Sequence, residues 1–173
     1  QEPHVIIAGT LGAKGEEVRY IRDIIKAAGL RTRLVDLSTV GRNQGADVSA
    51  QEVVLASPTG SAGIASGDRG TAVAAMTEAF RAWIAKQQNV AGIISAGGSG
   101  GTAIATAGMQ MLPVGLPKIM ISTMAAGNVA AYVGPTDVTM MHSVTDVQGL
   151  NRVSRAVLGN GAHAMAAMAR SWI

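Results

Sequence analysis

Val90-Ala91-Gly92-Ile93-Ile94-Ser95-Ala96, followed at once by Gly97-Gly98-Ser99-Gly100-Gly101-Thr102, is the stretch that decides the fold. An apolar, β-branched run that passes into glycines and then into a helical pattern reads as a buried parallel strand feeding a phosphate-sized turn. Glycines there let successive backbone N–H groups converge with no Cβ in the way. A helix from Thr102 adds its positive N-terminal end to the same concavity. The expected cargo is an anion, a phosphate or a nucleotide. A tight strand-to-helix turn that carries nothing gives the same pattern, because glycine runs are common.

On the N-terminal side, His4-Val5-Ile6-Ile7-Ala8 reads as a first strand and Gly9-Thr10-Leu11-Gly12-Ala13-Lys14-Gly15 as its glycine-rich exit loop. A helix follows, with Val18, Ile21, Ile25 and Ala28 at helical spacing, Glu16 and Glu17 at its positive end, Lys26 at the other and Gly29 as cap. Arg31 to Asp36 makes a second strand, so the chain opens as a βαβ unit. From Leu37 to Gly67 the regularity lapses, apart from a short helix signalled by Ser49-Ala50-Gln51-Glu52. The small residues from Ser57 to Gly67 predict a mobile loop, either plain or able to fold over a ligand. Asp68 caps the next helix, on which Val73, Met76, Phe80 and Trp83 share a face.

On the C-terminal side we expect a helix from Thr102 to Leu112, a strand Lys118-Ile119-Met120-Ile121-Ser122 and a polar loop Thr123 to Asn128. A short helix follows, then a last strand from Asp137 to Met141 ending in His142-Ser143. The final helix carries Leu150, Val153, Val157, Met165 and Met168. The sum is an α/β chain: a Rossmann-like open, mainly parallel sheet with helices on both faces, one subdomain across residues 1–173 with no repeat and no linker.

Composition agrees. Hydrophobic residues make up 48% of the 173 residues but aromatics only 3%, so with 22 glycines the core must close through Ile, Val, Leu, Met and closely approaching backbones. The net charge of +3 is scattered and has no stacking aromatics between its cations, which argues against nucleic-acid binding. No stretch approaches a membrane span and no signal-peptide pattern opens the chain, so a cytoplasmic protein is expected. The absence of cysteine excludes disulfides, thiolate metal sites and cysteine nucleophiles.

In an open parallel sheet, ligands bind outside the carboxyl ends of the strands, where strand order reverses. Those ends carry Thr10 and Lys14, Asp36 and Ser38, Ser99 and Thr102, Thr123 and Asn128, and Ser143 and Asp146, a set expected to converge on one rim. Gly9 to Gly15 is G-x-x-G-x-x-G and lacks the Lys-Ser or Lys-Thr pair of a P-loop, so neither a dehydrogenase nor a Walker ATPase is indicated. Asp36 ends its strand where dinucleotide folds place the acid that receives a ribose hydroxyl, and it is equally a common turn residue. Lys14 offers a countercharge to phosphate or is a solvated lysine.

The glycines also satisfy G-x-S-x-G, the nucleophile elbow, with Ser99, Asp137 and His142 in the order of a serine hydrolase. Such hydrolases place a longer sheet before the nucleophile, and glycine runs match the pattern easily. His4, His142 and His163 have no metal-ligand spacing, and Asp146 reads more simply as a helix N-cap than as a magnesium ligand.

The segments HVIIAGTLGAKGEEVRYIRDIIKAAGL, ADVSAQEV, DRGTAVAAM, SAGGSGGTAIAT and PKIMISTMAAGNVAAYVGPTDVTMMHSVTDVQGLNRVSRAVLGNGAHAMAAM together resemble one family over nearly the whole chain. It is the ATP-binding family named after the plant tobamovirus-resistance protein, seen here in its N-terminal part. The resemblance implies a Rossmann-like subdomain followed in full-length members by a second one. It also implies ATP as ligand; magnesium beside the triphosphate is left open, with no metal site assigned. Carried onto this chain, ATP falls to Gly97, Gly98, Ser99, Gly100, Gly101 and Thr102, with Thr10, Gly12 and Lys14 as lesser candidates, while Asp36 stays a candidate by its strand-end position alone. Two other readings stay open. One is an enzyme acting on a phosphorylated small molecule. The other is a homo-oligomer packed through the Met76, Phe80, Trp83 face or the Met165, Met168, Trp172 face.

Overall fold

The structure, a computed structural model, describes residues 2–40 and 45–173. Strands β1 (His4–Gly9), β2 (Arg31–Asp36), β3 (Val90–Gly97), β4 (Lys118–Ser122) and β5 (Thr139–His142) form one sheet in the order β2-β1-β3-β4-β5, every neighbouring pair parallel. Helices α1 (Leu11–Ala27) and α7 (Arg152–Trp172) cover one face. The other face is covered by α2 (Ala50–Val54), α4 (Arg69–Ala85) and α5 (Ser99–Met109), with α3 (Gly60–Ile64) and α6 (Ala130–Val133) at its margin. The Rossmann-like α/β architecture is therefore the one the alternation of strands and helices predicts.

Burial on both faces explains why the inner strands β1, β3 and β4 read as largely apolar runs. In β1, Ile6 and Ala8 enter the core beneath α4 and α5, while Val5 and Ile7 enter the core beneath α1 and α7. In β4, Met120 goes to the first core and Ile119 and Ile121 to the second. With one Phe and two Trp in the chain, these cores close by backbone approach. A Cβ on Gly161 of α7 would lie 2.5 Å from Ile121 Cδ1, and one on Gly108 of α5 would collide with the Phe80 ring of α4.

Several boundaries differ from the sequence reading. The first exit loop is a single residue, Thr10, because α1 already begins at Leu11 and absorbs the rest, with a kink at Lys14 (φ −120°, ψ 24°). Glu17 is consequently not at the helix's positive end; it is buried one turn further on and accepts from the Gly149 amide. Helix α5 starts at Ser99, not Thr102. The small-residue segment after Ser57 contains α3, whose Gly63 packs against Ala75 of α4. Residues 41–44 of the irregular excursion lie outside the described residues. The polar loop after β4 is a 3-10 turn, Thr123–Ala126. The last strand begins at Thr139, and α7 is capped by Asn151, not Asp146, through its Oδ1 and the Ser154 amide (2.9 Å).

Met76, Phe80 and Trp83 are not an oligomer face. All three are buried in the chain's own core. Met165 is buried as well, which leaves only Met168 and Trp172 of the second proposed face exposed.

At the amino edge of the sheet, Lys118 is fully buried, and its three N–H bonds are all used. The ammonium donates to Pro113 O (2.7 Å), Leu116 O (2.8 Å) and Asp137 Oδ1 (2.8 Å). That ammonium, together with the Gly115 amide, holds the Asp137 carboxyl down at about 2 against an ordinary 3.8. A folded-state value below the unfolded one stabilises the fold above the ordinary value and is lost as pH falls through it. We therefore expect the difference in melting temperature between the wild-type chain and Asp137→Asn to shrink between about pH 4 and about pH 2. Thermal melts across that window read it directly, and a constant difference contradicts the assignment.

Candidate functional site

Strand order reverses between β1 and β3, so the crevice outside their carboxyl ends is where this topology places a ligand. Because all neighbouring strands are parallel, the five polar strand exits do lie along one edge. The two exits flanking the crevice differ in one decisive respect, the fate of their backbone amides.

At the β1 exit the four amides from Leu11 to Lys14 are all spent. Leu11 N donates to Asp36 Oδ1 (3.1 Å), Gly12 N to Ser38 Oγ (2.8 Å), and Ala13 N and Lys14 N to Thr10 O (3.0 and 2.7 Å). Ser38 passes its own proton to Asp36 Oδ1 (2.6 Å), which also accepts from Ser38 N (2.9 Å). Asp36 is thus a buried clasp that ties the start of α1 to the end of β2. Gly12 is small because Val40 O would sit 2.9 Å from its Cβ. Of this group, Lys14 keeps a side chain with no partner among the described residues.

At the β3 exit the amides of Ser99, Gly100 and Gly101 find no acceptor among the described residues. They are the first turn of α5, and the N-cap residue Gly98 has no side chain to offer them. Space above them is open: a Cβ on Gly101 meets nothing within 4 Å, and one on Gly100 meets only Val73 Cγ2 (3.8 Å) and Arg69 Nη2 (3.9 Å).

Thr102 does not face this space. Its hydroxyl is buried and donates to Gly98 O, while the Ser122 hydroxyl donates to it (2.6 Å) and in turn accepts from Met124 N (2.9 Å). This relay fixes the β3 exit against the β4 exit and holds the three open amides in place. Thr102 therefore positions the turn from within, and Gly97 is buried as the last residue of β3.

Arg69 is the residue the sequence reading missed. It opens α4, thirty positions before the glycines, and reaches them because α4 packs along α5. Its guanidinium is exposed and forms no ion pair among the described residues. The neighbouring Asp68 is committed elsewhere, since its Oδ2 accepts from the Thr71 hydroxyl (2.6 Å) and amide (2.8 Å), which holds its carboxyl below the usual range. A cation at the first turn of a helix is disfavoured by about 0.3–1 kcal/mol, and here it stands beside a second helix N-terminus as well.

The hydrolase geometry does not assemble. Asp137 is held by Lys118 and Gly115 at the amino edge, whereas Ser99 lies past the carboxyl end of β3. His142 ends β5, so the five residue steps from Asp137 to it span roughly 16 Å of strand direction. No cluster of His, Asp or Glu among the described residues could hold a metal ion, and His142 and His163 are exposed.

Residues 3–172 match the family described as "Uncharacterised protein family (UPF0261) N-terminal domain". The chain belongs to that family. It is 50% identical to a UPF0261 protein of Rhizobium meliloti over 95% of this chain and 42% of the relative, and 40% identical to one of Clostridium tetani over 96% and 42%. It is also 34% identical to the ToMV susceptible protein tm-1(GCR26) of Solanum lycopersicum, over 96% of this chain and 25% of that protein. The chain thus spans less than half the length of these curated relatives. No helix among the described residues is long and apolar enough to cross a membrane.

Proposed function

We propose that this chain binds ATP, with the phosphates held at the start of α5 by the amides of Ser99, Gly100 and Gly101 and by the Ser99 hydroxyl. The carrying observation is that these three consecutive amides lack acceptors, whereas at the other switch-point exit the amides from Leu11 to Lys14 all have one. An anion supplies the missing acceptors and finds the positive end of the α5 dipole. Arg69 adds a guanidinium fork suited to phosphate oxygens, and Lys14, from the first turn of α1, a point charge. The choice of ATP over other phosphates rests on the family resemblance of the sequence. Magnesium would come with the phosphates. The proposal is of binding, with no hydrolytic step assigned.

Arg69→Ala tests the guanidinium separately from the amides. We expect affinity for ATP to fall roughly tenfold, the value of one charge-assisted hydrogen bond, with an unchanged melting temperature because the side chain is exposed and unpaired. Arg69→Lys should recover part of the loss, since it restores charge without the fork. Unaltered affinity in the alanine variant removes Arg69 from the site.

A further inference from the structure

One apolar patch lies away from both cores. Val114 is 72% exposed and Trp172 46% exposed, with Met168 one turn before Trp172 on the same face of α7. Gly115, at φ +97°, turns the chain so that a Cβ on it would lie 3.6 Å from Trp172 Cζ3, which joins the turn before β4 to the last turn of α7. Gly115 stands three residues before Lys118, the first of β4, so the patch is at the amino edge of the sheet. The open amides lie past the carboxyl edge, about 26 Å away along the eight residues of β3.

We infer that this patch is the docking surface for the C-terminal portion that the longer relatives carry, which places that portion on the edge opposite the Ser99–Gly101 amides. The family match is to an N-terminal domain covering residues 3–172, and relatives at 50% and 40% identity have more than half their length outside it. The matched domain closes on the helical turn that bears Trp172, so the polypeptide following it in those relatives emerges at the patch itself. Tethering at that point gives the following segment a high effective concentration there. Exposed Val, Met and Trp side chains are what an interface between domains of one chain covers. The inference does not depend on the nucleotide reading, but it bears on it: the start of α5 is left complete within this chain and open to solvent.

The test is thiol labelling at two positions, each exposed and each in a chain without native cysteine. Val114→Cys and Ser99→Cys are made both in this chain and in the protein extended by its C-terminal portion, and maleimide incorporation is followed peptide by peptide. We expect V114C to label at least on the order of tenfold more slowly in the longer protein, and S99C to label at the same rate in both. Equal V114C rates overturn the inference. So does slowing at S99C, which would put the second portion over the α5 end. Slowing of V114C with rising concentration of this chain alone also overturns it, because the occupant is then a second copy. Each outcome is read without nucleotide present.

Discussion

Gly100→Val should fold normally and lose at least about a hundredfold in affinity for ATP. Folding is preserved because the added Cβ meets Val73 and Arg69 at ordinary contact distances, 3.8 and 3.9 Å, and because glycine is the poorer helix former of the two. Binding is lost because the two γ-carbons occupy the approach to the amides and push the guanidinium aside. Two or three charge-assisted hydrogen bonds at about 1.5 kcal/mol each give about 3–4.5 kcal/mol, or more than two decades in affinity. Circular dichroism establishes the fold and titration calorimetry the affinity. A folded variant with wild-type affinity removes the start of α5 from the site.

Lys118→Met should be the most damaging single change at the amino edge, lowering stability by about 3 kcal/mol and the melting temperature by roughly 6–12 °C. The methionine fills the volume, but Pro113 O, Leu116 O and Asp137 Oδ1 lose their shared donor together. Asp137→Asn, by contrast, keeps its one carbonyl oxygen for the ammonium and gives up the acceptor of the Gly115 amide, but its side chain is 42% exposed, so water replaces the lost bond and the cost should be about 1 kcal/mol. A loss for Lys118→Met no larger than that of Asp137→Asn would show that the two carbonyl bonds contribute nothing net. The Lys118 substitution should leave ATP affinity unchanged, because its contacts lie at the edge opposite the open amides.

The inner strands were legible because parallel strands buried on both faces leave apolar runs, whereas the edge strand Arg31–Asp36 was legible from the strand-helix-strand alternation; it and Lys118–Ser122 match the structure residue for residue. The helix starts were not. Glycine's low helix propensity makes Ser99-Gly100-Gly101 look like loop, yet the first turn of a helix has no intrahelical N–H bond to lose, so glycine costs little there. The strand exits that form the candidate site were legible as an edge of the sheet, but the roles of their polar residues were not. Asp36 and Thr102 are polar residues at strand and helix ends, and nothing local says that their oxygens are consumed by Leu11, Ser38, Gly98 and Ser122. Arg69 was invisible for the complementary reason, since its approach to Gly100 exists only once α4 packs on α5. Nothing local marks Lys118 as buried, because its burial follows from two carbonyls and a carboxylate that the chain gathers from residues 113 to 137.

The central claim is tested most directly by calorimetric titration of ATP into this chain, with and without magnesium, and with ADP, GTP and inorganic phosphate as competitors. The account predicts saturable binding of ATP that inorganic phosphate displaces weakly and that Gly100→Val abolishes. Absence of saturable binding by any of these ligands, or binding that persists in the Gly100→Val chain, would contradict it.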